Sequence, residues 1–397
     1  MKKKVAVVGQ GYVGLPIALS AAASGYFVVG IDTNTDKVKN LCSGISDIED
    51  VTSEDLIKYI NSGSYIASND LIDLTGAKII LICVPTPLSK DGAPDLSYVR
   101  EAATGVGKYL KKGTLVIFES TVSTGTTRSI LVPLLELESG LDTSDFLVAF
   151  SPERIDPLNK IWNIKNTPKL VAGLSENACD QALDFYSKFV DTVTKCESIE
   201  IAETAKLLEN SFRLINISFI NEISMYCSKL GIDINQVIKA ASTKPYGFMP
   251  FYPSLGVGGH CIPVDPIYLS DRAKQVGAQT RFIDLADQIN NQMPEYFVNK
   301  AENMLGGLEG KRVLVIGVAY KPNITDTRQT PVHALIAGLR EKSAHVSWHD
   351  DLVKEWHGEK STILSGDYDL AILSTPHDYL DLSKLGDVPI LNTRGSI

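Results

Sequence analysis

Short apolar runs rich in β-branched residues recur through the first 150 residues of the chain, each followed by a stretch of helical character. Residues 4–9 (KVAVVG) form the first run, LPIALSAAASG closed by Gly25 reads as a helix, and residues 27–32 (FVVGID) form a second strand. The alternation continues through residues 78–85 (KIILICVP), 114–120 (TLVIFES) and 146–153 (FLVAFSPE). Apolar strands alternating with helices predict a mainly parallel sheet covered on both faces. Near residue 199 the pattern changes. SIEIAETAKLLENSFRLINISFINEISMYCSKLG reads as one helix of about thirty residues, with Ala205, Leu208, Phe212, Ile215, Phe219 and Ile223 at alternating spacings of three and four and Gly231 as its stop. A second helical stretch covers roughly 282–305. Strand-like runs then return at 311–320, 345–350, 368–375 and 388–393, so two α/β lobes flank a helical middle. Long helices between two lobes leave a large apolar face to cover, and a homodimer is the expected cover.

A length of 397 residues implies two or three domains, and a hydrophobic content of 44% is ample for their cores. The net charge of -9 excludes a broad electrostatic footprint for nucleic acid, so an anionic ligand has to be held by a few placed groups. Six cysteines (42, 83, 179, 196, 227 and 261) are scattered without a C-x-x-C pair, which argues against a disulfide framework and against a zinc site; no metal is expected. A reducing, cytoplasmic compartment follows. The start MKKKVAVVG imitates a signal peptide, but Gly9 and Gln10 interrupt its apolar run, and a first strand is the better reading. No run of ~20 apolar residues suggests a membrane span.

Several constellations carry candidate chemistry. GQGYVG, with Gly9, Gly11 and Gly14 around Tyr12 and Val13, lies between the first strand and its helix. Taken alone such a sequence can be no more than a tight turn, but at this position its backbone N–H groups can approach a pyrophosphate at a helix N-terminus. Asp32, eighteen residues past Gly14 at the end of the second strand, suits the hydroxyls of an adenosine ribose. The same carboxylate repels a ribose phosphate and no arginine follows it, which favours NAD over NADP. Lys206 and Asn210 lie four apart on one face of the long helix, away from the apolar stripe. That face is either simply solvated or supplies the cation and amide donor that hold an oxyanion.

The stretch GVGGHCIPVDP sets Cys261 between glycines on one side and Pro263, Asp265 and Pro266 on the other. This is no setting for a packing cysteine such as Cys83 in its apolar strand. A nucleophile held in a stiff loop and a plain loop cysteine are both open on this stretch alone. Asp265 is either a cap for the helix that follows or a base beside the thiol. His345, His349, His357 and His377 show no ligand spacing and read as surface histidines, while His260 can orient the cysteine loop.

With these residues in place, the chain resembles the nucleotide-sugar 6-dehydrogenases, the family of UDP-glucose, UDP-N-acetylhexosamine and GDP-mannose dehydrogenases. GQGYVGLP, CVPTPL, ESTVSTGTT, SPERIDP, AETAKLLEN, TKPYGF, GVGGHCIPVDP and GVAYKPNITDTRQTP carry the resemblance nearly from end to end. It implies an α/β fold class of two Rossmann-like domains joined by a central long-helix dimerisation region. The corresponding boundaries are an NAD-binding domain at 1–198, a helical catalytic region at 199–305 and a nucleotide-sugar-binding domain at 306–397. It also implies four-electron oxidation of a sugar C6 alcohol to the carboxylate with two NAD+, through a thiohemiacetal and a thioester on Cys261. Lys206 and Asn210 would stabilise oxyanions, and Asp265, Thr121 and Glu153 would handle water and protons. Cofactor positions would be Gly9, Gly11, Tyr12, Val13, Gly14, Asp32, Lys37, Val84, Pro85, Thr86, Thr121 and Arg328. Substrate positions would be Glu153, Lys206, Asn210, Phe251, Tyr252, Gly258 and Lys321.

Within the family, GGHCIP followed by Val-Asp-Pro is most similar to the UDP-N-acetylglucosamine 6-dehydrogenases, whereas the UDP-glucose enzymes carry a lysine where this chain has Val264. UDP-glucose and the N-acetylmannosamine and N-acetylgalactosamine epimers are the alternative substrates. A two-electron β-hydroxyacid-type dehydrogenase is the alternative chemistry, and it needs no thiol. The chain departs from the family at Ser254 and Leu255, where Gly-Pro is expected, and at Asn392, where aspartate is usual.

Overall fold

The computed structural model describes residues 2–156 and 158–395, and the chain divides into two compact units, residues 1–208 and 209–397. The first is built on an eight-stranded sheet of β1 (Lys4–Val8), β2 (Phe27–Ile31), β3 (Tyr65–Ser68), β4 (Ile79–Ile82), β5 (Leu115–Phe118), β6 (Leu147–Phe150), β7 (Lys169–Gly173) and β8 (Val193–Lys195). Their order is β3-β2-β1-β4-β5-β6-β7-β8. Every pairing is parallel except β6 with β7. The strands IILI and LVIF are buried at every position, because helices cover both faces of the sheet and leave no solvent side on which alternation could develop. One apolar layer includes Val5, Val7, Leu15, Ile17, Phe185 and Tyr186, and the opposite layer Ala6, Ile80, Val116, Phe118 and Leu135.

This order reverses between β1 and β4, the switch point at which doubly wound sheets bind ligands beyond their strand ends. The segments that leave the carboxyl ends of β1, β2, β4, β5 and β6 carry Gly9–Gly14, Asp32, Val84–Thr86, Thr121 and Glu153 respectively. Topology alone therefore sets most of the expected first-lobe site along one sheet edge.

The long helix, Ile199–Lys229, has 31 residues and begins in the first unit. The expected stripe is split: Leu208 is 62% and Phe219 57% exposed and Phe212 is exposed too, whereas Ala205, Ile215 and Ile223 are half-buried, the last two packed on buried apolar clusters. The buried positions are Ile199, Ala202, Leu207, Leu214, Ile220 and Cys227 together with the polar Glu203, Lys206, Asn210, Ser211, Ser218 and Asn221.

The second unit continues with helices Ile234–Ala241, Asp265–Gln275 and Arg281–Leu305 and a parallel sheet. That sheet has β9 (Arg312–Ile316), β10 (His345–His349), β13 (Leu370–Leu373) and β14 (Ile390–Asn392) in the order β10-β9-β13-β14. A two-residue ribbon, β11 (Glu355–Trp356) and β12 (Glu359–Lys360), lies between β10 and β13 in the chain. Phe297, Val298 and Ala301 of the helix Arg281–Leu305 pack with Val313, Leu335, Leu339 and Ile372. A Cβ at Gly338 would lie 3.0 Å from Val298, so that helix meets Val332–Glu341 closely. Leu255, one of the departures from the family wording, is buried in this core, and the Ser254 amide donates to Asn221 Oδ1 at 2.8 Å. Among the described residues, no helix is long and apolar enough to cross a membrane.

Candidate active site

Two of the three glycines after β1 answer to the protein's own backbone. Gly9 has φ +91°, and a Cβ there would sit 2.3 Å from the Cys83 carbonyl oxygen; at Gly14 it would sit 1.8 Å from the Gly9 oxygen. Gly11 differs: its φ lies outside the left-handed region, and a Cβ there would meet no atom within 4 Å. Packing does not explain that glycine, whereas close approach of a phosphate does. Tyr12 and Val13 are half-buried and pack on the sheet's apolar layer. Asp32 holds the turn, its Oδ2 accepting the Gln10 amide and its Oδ1 the Asn34 amide, both at 2.9 Å. Each carboxylate oxygen has room for a second bond, so a ribose diol fits there. Gln10 is locked beneath, donating to the Val7 carbonyl and accepting from Tyr65 Oη, both at 2.8 Å. Lys37 pairs with Asp47 at 2.9 Å and its Nζ lies 3.5 Å from the Gln10 carbonyl. The Val84 carbonyl accepts from Ser120 Oγ at 2.6 Å, Pro85 is exposed, and Thr86 and Thr121 are half-buried. This edge has the amides, the glycine cradle and the carboxylate that an NAD pyrophosphate and ribose require.

Glu153, beyond β6, turns back on itself. Its Oε1 accepts the amides of Arg154 and Ile155, while its Oε2 is buried without a hydrogen-bond partner, 4.0 Å from Lys169 Nζ. Lys169 opens β7 and forms a 2.7 Å ion pair with the fully buried Glu119, which also accepts from Tyr186 Oη. Burial pushes the Glu119 carboxyl up to about 7 against the pull of Lys169. Burial works to lower the Lys169 value, but the carboxylates of Glu119 and Glu153 outweigh it and hold the ammonium above its ordinary range. Sequence reasoning missed this group; the available signals were a lysine opening an apolar strand (KLVAG) and a glutamate closing another (VIFE). It also missed Glu203, buried at the start of the long helix. That carboxylate accepts the Gly125 amide at 2.6 Å, the Thr127 amide at 2.9 Å and Thr127 Oγ1 at 2.7 Å, and so fixes the segment that follows Thr121.

Lys206 and Asn210 are 8% and 7% exposed, so theirs is not a solvated face. Asn210 Nδ2 donates to Asp265 Oδ2, although 55 residues separate them. Asp265 is the first residue of its helix, and Val264 stands at the N-cap without a side-chain capping bond. The Asp265 amide donates to the Cys261 carbonyl at 2.8 Å, which places the half-buried thiol in the turn directly ahead. The Asn210–Asp265 pair thus stands at the helix start, four residues after Cys261 and joined to it through the backbone.

The glycines before Cys261 serve protein packing as well as turning. A Cβ at Gly258 would lie 2.7 Å from Tyr320 Cβ and 2.9 Å from the Gln329 oxygen, and Gly259 presses on the Tyr320 ring and donates to the Arg328 carbonyl at 3.0 Å. The cysteine loop is therefore set against residues 320–331, the GVAYKPNITDTRQTP segment. Arg328 is itself exposed and ion-paired with Asp326, Lys321 is half-buried, Phe251 stacks edge-on against Phe212 at 5.8 Å, and Tyr252 is exposed.

The histidine expectation is corrected at two positions. His345 and His357 are exposed, but His349 and His377 are buried. The Asn323 amide donates to His377 Nδ1 at 2.8 Å, so Nε2 carries the proton and donates to Asp350 Oδ1 at 2.9 Å. Asp350 ends β10 much as Asp32 ends β2, and its Oδ2 accepts the Val318 amide as Asp32 accepts that of Gln10. Its Oδ1 additionally accepts the amides of Leu352 and Val353, so this second strand-end carboxylate is a structural clamp. Among the described residues no group of three or more His, Cys, Asp or Glu side chains is placed to hold a metal ion.

Three family models match the chain, all of the UDP-glucose/GDP-mannose dehydrogenase family: the NAD binding domain at residues 3–190, the central domain at 200–292 and the UDP binding domain at 314–389. The chain is 38% identical to a UDP-N-acetyl-D-glucosamine 6-dehydrogenase of Pseudomonas aeruginosa over 88% of this chain and 83% of that protein. It is 37% identical to protein CapL of Staphylococcus aureus over 97% of this chain and 92% of that one. Among solved structures, a UDP-D-ManNAc dehydrogenase from Pyrococcus horikoshii superposes with a TM-score of 0.90 at 32% identity, covering 98% of this chain and 95% of the other.

Proposed function

The chain belongs to the UDP-glucose/GDP-mannose dehydrogenase family and is an NAD-dependent nucleotide-sugar dehydrogenase, and on that premise we propose that it oxidises the C6 alcohol of UDP-N-acetyl-D-glucosamine to the uronic acid. The observation that carries the four-electron reading is the corner in which Asn210 holds Asp265 and the Asp265 amide closes the turn of Cys261. A two-electron dehydrogenase needs neither the thiol nor a carboxylate poised beside it.

Bound NAD+ supplies the hydride acceptor for each of the two oxidations. Gly11 and its neighbouring amides would hold the pyrophosphate, and Asp32 would hold the ribose diol and disfavour a 2′-phosphate. The Cys261 thiolate adds to the C6 aldehyde, giving a thiohemiacetal, and keeps the carbon attached through to the thioester. Water then adds, and the acyl–sulfur bond breaks to release carboxylate and thiol. Overall, one alcohol and one water become one carboxylate, with two hydrides and three protons given up. The Lys206 ammonium and the second N–H of the Asn210 amide stabilise the oxygen anions at each stage. Asp265, with Thr121 and Glu153, takes protons from the alcohol and from water.

The sugar assignment rests on the residues around Cys261 and on relatives such as the Pseudomonas aeruginosa enzyme. A 2-acetamido group needs room and apolar or amide contact, which the aromatic-rich YGFMPFYP preceding the loop supplies. UDP-glucose would forfeit those contacts, worth ~1–3 kcal/mol or ~10–200-fold in specificity. The exposed Leu208, Phe212, Phe219 and Tyr226 on the long helix support a homodimer, to be checked by light scattering, and six cysteines without a disulfide suit a cytoplasmic enzyme.

The deciding experiment counts NADH per sugar on a panel of UDP and GDP sugars, for the wild type and Cys261→Ser. We expect two NADH per UDP-N-acetylglucosamine, with net carboxylate lost but substrate still bound in Cys261→Ser, because a hydroxyl is a far weaker nucleophile than a thiolate at neutral pH. One NADH per sugar, or near-wild-type turnover by Cys261→Ser, overturns the covalent route. Comparable efficiency on UDP-glucose overturns the acetamido argument, and preference for another N-acetyl epimer overturns only the stereochemistry.

A further inference from the structure

Five elements of the first unit converge on one buried ammonium. Lys169 from β7 meets Glu119 from the end of β5 at 2.7 Å and Glu153 from the segment after β6 at 4.0 Å. Tyr186 of the helix Glu176–Tyr186 donates its hydroxyl to Glu119, and its ring lies 5.0 Å from the Lys169 nitrogen. Cys83, beyond β4, completes the surroundings, its thiol kept neutral because burial and the neighbouring Glu119 push it well up. Burying an ion pair in a sheet core is a poor way to gain stability, since desolvation offsets most of the attraction. Such an arrangement beside a strand-end carboxylate is a candidate for tuning that carboxylate.

The charges do not balance: one ammonium faces two carboxylates. Glu119 is fully buried with both oxygens bonded, whereas Glu153 has one oxygen on its own turn amides and the other, Oε2, buried and unbonded on the Lys169 side. We propose that Lys169, anchored by Glu119 and Tyr186, is the positioning residue for Glu153, and that its charge sets where turnover fails on the acid side. The proposal rests on the reading of Glu153 as a proton-handling residue. Lys169 fixes the carboxylate's rotamer. Glu119, pushed up to about 7, gives up its share of the ammonium below neutral pH.

The test compares kcat against pH for wild type, Glu153→Gln, Lys169→Met and Glu119→Gln. An opposite charge at this range is worth about one pH unit or more. Lys169→Met should therefore move the acid limb up by about one unit, an about tenfold loss of rate one unit below the wild-type midpoint. Glu119→Gln mimics the neutral acid that burial favours below about pH 7, so it should leave the acid limb in place. A merely structural cluster would lower kcat or stability in both variants and move the limb in neither. If Glu153→Gln keeps wild-type turnover and an unchanged limb, the reading of Glu153 fails and the proposal falls with it. If Glu153→Gln abolishes the limb while Lys169→Met leaves it in place, that reading stands and the proposal alone is overturned. Should Lys169→Met not fold, the polar, uncharged Lys169→Gln decides: an unshifted or downward limb refutes the proposal.

Discussion

Replacing each glycine of the β1 turn with alanine separates what the fold needs from what the cofactor needs. At Gly14 the new Cβ would lie 1.8 Å from the Gly9 oxygen and 3.2 Å from Val7, so the helix start has to shift off the sheet. At Gly9 the left-handed φ of +91° costs a side-chain residue ~1–2 kcal/mol, and the 2.3 Å approach to the Cys83 oxygen adds a backbone displacement. Both variants should lose several kcal/mol of stability, on the order of ~2–4. Gly11→Ala meets no atom within 4 Å and needs no left-handed backbone, so the apo protein should unfold at the wild-type temperature or slightly above, by ~0.4–1 kcal/mol in stability. Its effect should appear only with ligand. A methyl group that keeps a pyrophosphate off the turn amides forfeits a charge-assisted hydrogen bond of ~1.5–3 kcal/mol, which weakens NADH binding ~10–150-fold. Thermal unfolding by circular dichroism without nucleotide and titration of NADH fluorescence read the two effects independently. NADH binding by Gly11→Ala within twofold of wild type would refute the placement of the pyrophosphate. A stability loss in Gly11→Ala equal to that of Gly14→Ala would refute the packing argument.

Two further perturbations test carboxylates that end strands. Asp32→Ala should lower kcat/KM for NAD+ by roughly tenfold or more and narrow the preference over NADP+, since it removes both the ribose acceptor and the repulsion of a 2′-phosphate; equal turnover with the two cofactors in the wild type would contradict this. Asp350 offers a pH test. Burial works to raise its value, but hydrogen bonds from His377 and the amides of Val353, Val318 and Leu352 hold it down at about 2. A depressed carboxylate contributes stability above its unfolded value that is lost as pH falls through the folded one. The contribution of about 2–3 kcal/mol should be complete above about pH 5 and fade toward pH 1, with little left at pH 2. Denaturant midpoints of wild type and Asp350→Asn should therefore differ at pH 6 and converge near pH 2, and a difference independent of pH would exclude the linkage.

Most of the strands, the long helix, its stop at Gly231 and the turn glycines were legible in the sequence because each depends on residues near one another in the chain, whereas Tyr65–Ser68, Lys169–Gly173 and Val193–Lys195 were missed. β-Branched runs and spacings of three and four act locally, and the succession of strand and helix suffices for a parallel sheet whose carboxyl edge gathers Gly11, Asp32, Val84 and Thr121. Where polar groups end up depends on what covers them, and only the tertiary structure decided that. Half of the long helix's apolar stripe, Leu208, Phe212 and Phe219, is exposed while Lys206 and Asn210 are buried, a division that spacing along one helix cannot reveal. Asn210 finds Asp265 across 55 residues, Lys169 finds Glu119 across 50, and His377 finds Asp350 across 27. In each pair a buried polar group is tolerable only because a partner from a distant segment satisfies it, and that partner is chosen by packing rather than by anything adjacent in the chain.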